Sequence, residues 1–255
     1  MKLILLQPTL KAFDDRYNPD AIEALIRKFQ SRIHQDDLLV LPEHFTSDSS
    51  AERYEEYTAH LASIAHCTII GGSHHRKIGT AYQNVGNAID REGNIIGNYS
   101  KLRPYFEEQK RVSPGQYFGQ FTLNNINIIV MICADFWYSD LLLSIGRQPD
   151  IVIIPALSVS RKSTPDFSKA QWKHLAIARA YEFGMYVGIS DWSAASQLPK
   201  YRTCGVGGFA DPTQTEPDLF YQPISEEGFS AFEIDMDALH AFRDDRKMRG
   251  FFWKE

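Results

Sequence analysis

A layered α/β architecture, with sheets covered by helices, is what this sequence predicts, and three observations carry that expectation. Short apolar, β-branched runs such as Asp37–Leu41, Ile128–Cys133 and Asp150–Pro155 read as strands buried on both faces. In the first and third quarters of the chain such runs alternate with residues at helical spacing, the pattern that lays helices on a sheet. In the middle and toward the end, strand-like pieces follow one another closely, as antiparallel hairpins do.

Taken in order, Lys2–Leu6 is a first strand, followed by a loop with Pro8 and two aspartates. Pro19 and Asp20 open a helix over Ala21–Arg32, with Ile22, Leu25, Ile26 and Phe29 on one face. The strand Asp37–Leu41 stops at Pro42, and the polar run Glu43–Ser50 leads into a helix through Ala65. Thr68–Gly72, Ala81–Ile89 and Ile95–Ser100 follow as strands, the last two joined by the hairpin turn Asp90-Arg91-Glu92-Gly93-Asn94. A short strand near Phe121 precedes Ile128–Cys133. After Asp150–Pro155, the Ser- and Thr-rich stretch Ser158–Ser168 reads as the mobile piece, and Trp172–Phe183 as an amphipathic helix. Met185–Ser190, Val206–Ala210 and Gly228–Asp235 close the strands, and Met236–Phe242 is a short final helix.

Composition narrows the function classes. With 255 residues, 44% hydrophobic and 23% charged, the chain suits one globular domain, 1–255. A net charge of −5 with scattered Lys and Arg leaves no basic field for nucleic acid. The start offers only four consecutive apolar residues before Gln7, and no stretch approaches a membrane span, so a cytoplasmic location is expected. Cys67, Cys133 and Cys204 have neither an even count nor C-x-x-C spacing, which argues against a disulfide framework and a zinc site. The histidines, including the pair His74-His75, have no ligand spacing to Cys67 or Cys204 and read as structural or surface residues.

Three chemically useful side chains each follow a buried strand: Glu43 after DLLVLP, Lys101 after the strand closing in NYS, and Cys133 at the end of NIIVMIC. A strand end holds a side chain rigidly while letting it face a cleft. A free thiol is only a few per cent thiolate at neutral pH, so a nucleophilic cysteine needs a base in reach and a positive charge nearby. An acid, an amine and a thiol delivered to one sheet edge would meet that need. Each residue also has an ordinary alternative: a helix-start acid, a solvated strand-end charge and a packed thiol.

The flanking residues go further. LPEHF, YSKLRPYFEEQKRVSPG and VMICADFWYSD, in that order, resemble the three signature blocks of the nitrilase, or carbon–nitrogen hydrolase, superfamily. The resemblance extends to the GGSHHR segment, the hairpin NAID…GNIIGNYSK, the strand PDIVIIPA and the helix QWKHLAIARAYEFGMYVG. It implies a four-layer αββα sandwich, a feature not read from periodicity, and homo-oligomers of two or more subunits. It also implies Cys133 as nucleophile, Glu43 as general base and Lys101 as the cation that stabilises a tetrahedral intermediate. A second acid of the pattern lies seven residues after the lysine and six before Pro114, and both counts reach Glu108.

The implied reaction is hydrolysis of a non-peptide carbon–nitrogen bond in a small amide or N-carbamoyl compound through a thioester, with no metal or organic cofactor. Nitrile hydrolysis, acyl transfer and a catalytically silent binding protein are the alternatives. For substrate contacts the expected residues are Tyr105, Ala134 (through its N–H, beside the nucleophile), Trp137, Asp191 and Trp192. Burial and a neighbouring Glu108 are expected to lift Glu43 toward neutrality. Amidase-type members usually follow the cysteine with an aromatic residue, an acid and, two positions on, an arginine. Here Cys133-Ala134-Asp135-Phe136-Trp137 keeps only the acid.

Overall fold

In the computed structural model of the protein, which describes residues 1–47 and 50–254, two sheets lie face to face with helices on their outer sides. The first part of the chain runs β1 (Lys2–Leu6), α1 (Tyr17–Phe29), β2 (Leu38–Val40), α2 (Ala51–Ala65), β3 (Thr68–Ile70), β4 (His74–Ile78), β5 (Ala81–Ile89) and β6 (Ile95–Ser100). The second runs β7 (Gly119–Leu123), β8 (Ile126–Val130), α3 (Ser139–Ser144), β9 (Ile151–Pro155), β10 (Val159–Ser160), α4 (Asp166–Phe183) and β11 (Tyr186–Ser190). It ends with β12 (Arg202–Thr203), β13 (Gly208–Ala210), β14 (Tyr221–Pro223), β15 (Phe229–Glu233) and α5 (Met236–Met248).

One sheet has the order β15-β1-β2-β3-β5-β4, with β6 also paired to β5; the other is β14-β13-β11-β9-β8-β7. β1, β2 and β3 are parallel, as are β8, β9 and β11, so helices must cross over between them. The period of two along each strand sorts its side chains between layers. From β1, Ile4 and Leu6 pack under α1 with Ile22 and Ile26, while Leu3 and Leu5 face the opposite sheet. From β8, Ile129 joins Trp172, Ala176 and Ala180 of α4, whereas Ile128 and Val130 meet Leu3, Leu5 and Val40 across the seam. The αββα sandwich is thus built by strands that are apolar on both faces. Each buried Leu or Ile contributes about 1.5–3 kcal/mol. The sheets approach closely enough at Gly188 that a Cβ there would stand 2.5 Å from Leu3 Cδ2.

Several sequence expectations change. The edge strand β4, HHRKI, has too few apolar residues to announce itself, yet it pairs along its length with β5. Helices α1 and α4 begin earlier than expected, at Tyr17 and Asp166, because their first turns precede the regularly spaced apolar residues that mark the helical stripe. The Ser158–Ser168 stretch is tied down rather than loose: β10 pairs with β12, and Ser158 bonds to buried Asp191. Of the run Glu43–Ser50, residues 48 and 49 lie outside the described residues; Ser50 caps α2 by accepting from Arg53 N at 3.3 Å. Among the described residues no helix is long and apolar enough to cross a membrane.

Candidate active site

Three strand ends meet at one edge of the sandwich. Glu43 lies three residues beyond β2 and is fixed by a bridge to Ser73, while Lys101 immediately follows β6. Both strands point the same way, so both residues sit at carboxyl ends, where α/β sheets place their ligands. Cys133 comes from the other sheet. Its strand ends at Val130, earlier than the sequence suggests, and Cys133 opens a short 3-10 helix with φ of 46°. A non-glycine residue in this left-handed region is strained and is held there by its surroundings.

Lys101 Nζ lies between two carboxylates, 2.8 Å from Glu43 Oε1 and 2.7 Å from Glu108 Oε2. Asn84 Nδ2 joins the same acids, donating to Glu43 Oε1 and Glu108 Oε1 at 2.8 Å each. Leu157, just past β9, donates its N–H to Glu43 Oε2 at 3.0 Å and receives a long contact, 3.9 Å, from Cys133 Sγ on its carbonyl. Cys133 is partly exposed, while Cys67 and Cys204 are buried.

Burial pushes the Cys133 thiol well above its ordinary range, and the adjacent Glu43 charge adds to this; Lys101 offsets only part. Burial also pushes Glu43 upward, but the charge of Lys101 and its hydrogen bond overrule it and hold the carboxyl below the usual range. The expectation of a Glu43 lifted toward neutrality is therefore corrected: its neighbours outweigh its desolvation. Burial likewise opposes ionised Glu108, yet His75, Lys101 and His44 keep it well below the carboxylate range. Lys101 is raised despite burial, by Glu43, Cys133 and Glu108. The resting cluster is an ion network of two carboxylates and one ammonium beside a neutral thiol.

The expected substrate-contact residues divide. Tyr105 donates its backbone N–H to Glu108 Oε2 at 3.0 Å, and its side chain is 56% exposed. Trp137 is 40% exposed and stands edge-on to Trp172 at 5.4 Å. Ala134 is buried directly after the cysteine. Asp191 and Trp192, expected at the cleft, are instead buried braces. The Asp191 carboxylate accepts from the N–H and hydroxyl of Ser158 and from Val206 N, and burial pushes it up to about 6. Trp192 Nε1 donates to the Glu43 carbonyl at 2.7 Å, fixing the backbone of that residue. Both residues are spent on holding the loops from behind, which leaves them no free polar atom for a ligand.

Other residues escaped the sequence reading. Asp135 accepts from Leu102 N at 2.9 Å and Arg103 N at 2.8 Å, tying the turn of the cysteine to the segment of the lysine. Burial pushes Asp135 up to about 6. Gly72 lies behind Glu43 with φ of +65°, and a Cβ there would fall 2.2 Å from Pro42 O. His44 and His75 stack edge to face at 4.3 Å beside Glu108, so these two imidazoles and the carboxylate could hold a metal ion. A signal was available in the polarity of Asn84, a buried amide on a strand of the sheet.

The sequence model of the carbon–nitrogen hydrolase family matches residues 3–198. The chain belongs to the carbon–nitrogen hydrolase family. This hydrolase is 28% identical over 166 residues to a hydrolase in the agr operon of Staphylococcus lugdunensis, covering 59% of this chain and 69% of that one. It is 22% identical over 232 residues to the omega-amidase NIT2 of Xenopus tropicalis, covering 83% of this chain and 81% of the relative. Its fold superposes on Nit3 of Saccharomyces cerevisiae, a nitrilase-superfamily member, with a TM-score of 0.78 at 19% identity, over 96% of this chain and 93% of that one. The four-layer sandwich is thus the nitrilase-type fold, and the protein is a carbon–nitrogen hydrolase enzyme.

Proposed function

We propose that the protein hydrolyses the carbon–nitrogen bond of a small amide or N-carbamoyl compound through a thioester on Cys133. The observation that carries this reading is Lys101 Nζ held between Glu43 at 2.8 Å and Glu108 at 2.7 Å beside a partly exposed thiol. Glu43 takes the thiol proton as sulfur attacks the carbonyl carbon. Lys101 and the N–H of Ala134 receive the developing oxyanion.

The low basicity of resting Glu43 fits this order of events. While Lys101 is bound to the carboxylates, the proton stays on sulfur. As the oxyanion forms, it shares the ammonium charge, the hold on Glu43 relaxes, and the acid becomes a better base when it is needed. The proton then passes to the leaving nitrogen as the carbon–nitrogen bond breaks, and Glu43, with Glu108 keeping Lys101 in place, activates the water that cleaves the thioester. The scheme needs no metal or organic cofactor. Exposed Tyr105 and Trp137 border the entrance in this reading. The omega-amidase likeness supports an amide rather than a nitrile.

The test is ammonia release from a panel of small amides, ureas and nitriles, with intact-mass detection of an acyl adduct. Cys133→Ala abolishes both signals, and Lys101→Met lowers the rate about a hundred- to a thousandfold. Release that survives Cys133→Ala overturns the thioester route, and added hydroxylamine separates transfer from hydrolysis. Iodoacetamide selectivity for Cys133 is a weaker test, because Cys67 and Cys204 are both 0% exposed and are protected by burial alone. The reading extends to a cytoplasmic homo-oligomer. Exposed Met248, Phe251 and Phe252 at the C-terminal end support association, which light scattering measures directly.

A further inference from the structure

Beside the catalytic cluster, on the side of β4, three potential ligand atoms converge. His75 Nε2 lies 3.1 Å from Glu108 Oε1, and His44 Nε2 lies 3.9 Å from the same oxygen. All three atoms fall within 4.8 Å of one another. On a tetrahedral zinc ion with bonds of about 2.0–2.2 Å, neighbouring ligand atoms stand about 3.4 Å apart. The two His–Glu108 separations bracket that value and the third lies within 4.8 Å, so modest side-chain movements would bring the set to coordination distance. The imidazole rings already meet edge to face, and the His75 side chain is 39% exposed, which leaves an entry path and room for water as a fourth ligand.

From this geometry we propose that His44, His75 and Glu108 form a binding site for a divalent transition-metal ion such as Zn2+, and that its occupation inhibits the enzyme. Two imidazole nitrogens and one carboxylate oxygen favour zinc, copper, nickel or cobalt over magnesium or calcium, which prefer all-oxygen shells. Glu108 keeps its other oxygen on Lys101 Nζ and Tyr105 N, and Asn84 still reaches Oε1. The ion thus settles on a carboxylate whose charge steadies the catalytic ammonium. It draws that charge to itself and sets a second cation nearby, which weakens the hold of Glu108 on Lys101 without breaking the contact.

The inhibition arm rests on the hydrolysis proposed above; the binding arm does not. Calorimetric titration of the full chain with Zn2+, with Mg2+ as control, is expected to show one site per chain. His75→Ala and His44→Ala each weaken it at least about tenfold, a loss that even outer-shell partners of a metal can produce. His75→Gln and His44→Gln serve if the alanine variants do not fold. Co2+ is expected to give visible d–d bands without a thiolate-to-cobalt charge-transfer band. Absence of binding, binding that survives loss of both histidines, or a thiolate band overturns the site. With an amide that turns over, Zn2+ is expected to slow ammonia release and His75→Ala to blunt that response. Unchanged turnover with zinc bound overturns the inhibition. A protein that turns over no substrate but binds zinc in this pattern sinks the hydrolysis and leaves the site standing.

Discussion

Asn84→Ala probes the network most directly. The Asn84 amide gives one hydrogen to Glu43 and one to Glu108, both at 2.8 Å. Both acceptors are ionised, and a hydrogen bond to a charged group is worth about 1.5–3 kcal/mol net. Alanine removes both, for a stability loss of about 3–6 kcal/mol. The lower end is expected, because Lys101 still pairs with both acids and a water can enter the vacated space. Catalysis should suffer as well, since two carboxylates with one tether fewer hold Lys101 less firmly. Urea unfolding at neutral pH reads the loss, with an unchanged slope showing that the native state remains compact. Gln83→Ala is the control: its neighbouring side chain makes only an exposed bond of 3.4 Å to Pro114 O, and about 0.5 kcal/mol is expected. If Asn84→Ala costs less than about 1 kcal/mol more than the control, the bridging role is refuted.

Three further outcomes follow from the geometry. Gly72→Ala places a Cβ 2.2 Å from Pro42 O at a φ of +65°, whereas Gly79→Ala at +63° meets nothing within 4 Å. Gly79→Ala should cost about 1–2 kcal/mol and spare ammonia release, while Gly72→Ala should cost more and depress turnover by moving Glu43; equal effects on thermal stability would discount the contact. Trp192→Phe removes the donor to the Glu43 carbonyl and should lower stability by about 1–3 kcal/mol, measured by urea unfolding, with kcat falling more than KM rises. For Asp191, burial raises the folded pKa from 3.8 to about 6, so the fold favours the protonated acid. That contribution is full below the unfolded value and is lost as pH rises through about 6, roughly 3 kcal/mol in all. Urea midpoints between about pH 4 and 7 should therefore fall less steeply in Asp191→Asn than in the parent, and identical slopes would contradict the assignment.

What the sequence disclosed was local. Lys2–Leu6, Ala81–Ile89 and Ile95–Ser100 are strands with the expected ends, because each apolar or alternating run is bounded by its own turn residues. The positions of Glu43, Lys101 and Cys133 at strand exits, and Glu108 by count, were also legible, and the structure brings all four together. What stayed hidden depends on distant partners. Asp191 read as a substrate contact because Ser158 and Val206, which bury and saturate it, belong to other segments. His75 read as a structural or surface residue because Glu108 reaches it from 33 positions away. The basicity of Glu43 was misjudged for the same reason: a charge balance is a property of the assembled cluster, and no single stretch contains it.

The acid and the amine hang from one sheet and the sulfur from the other, so under the proposed mechanism turnover acts as a gauge of how the two layers are aligned. Leu3, Val40, Ile128 and Ile153 set that alignment from deep in the seam, where they are fully buried. A repacking there that slides one layer by an ångström would silence the enzyme while leaving its secondary structure and much of its stability intact. Inactive variants should therefore map along the whole plane between the sheets, as well as around the thiol.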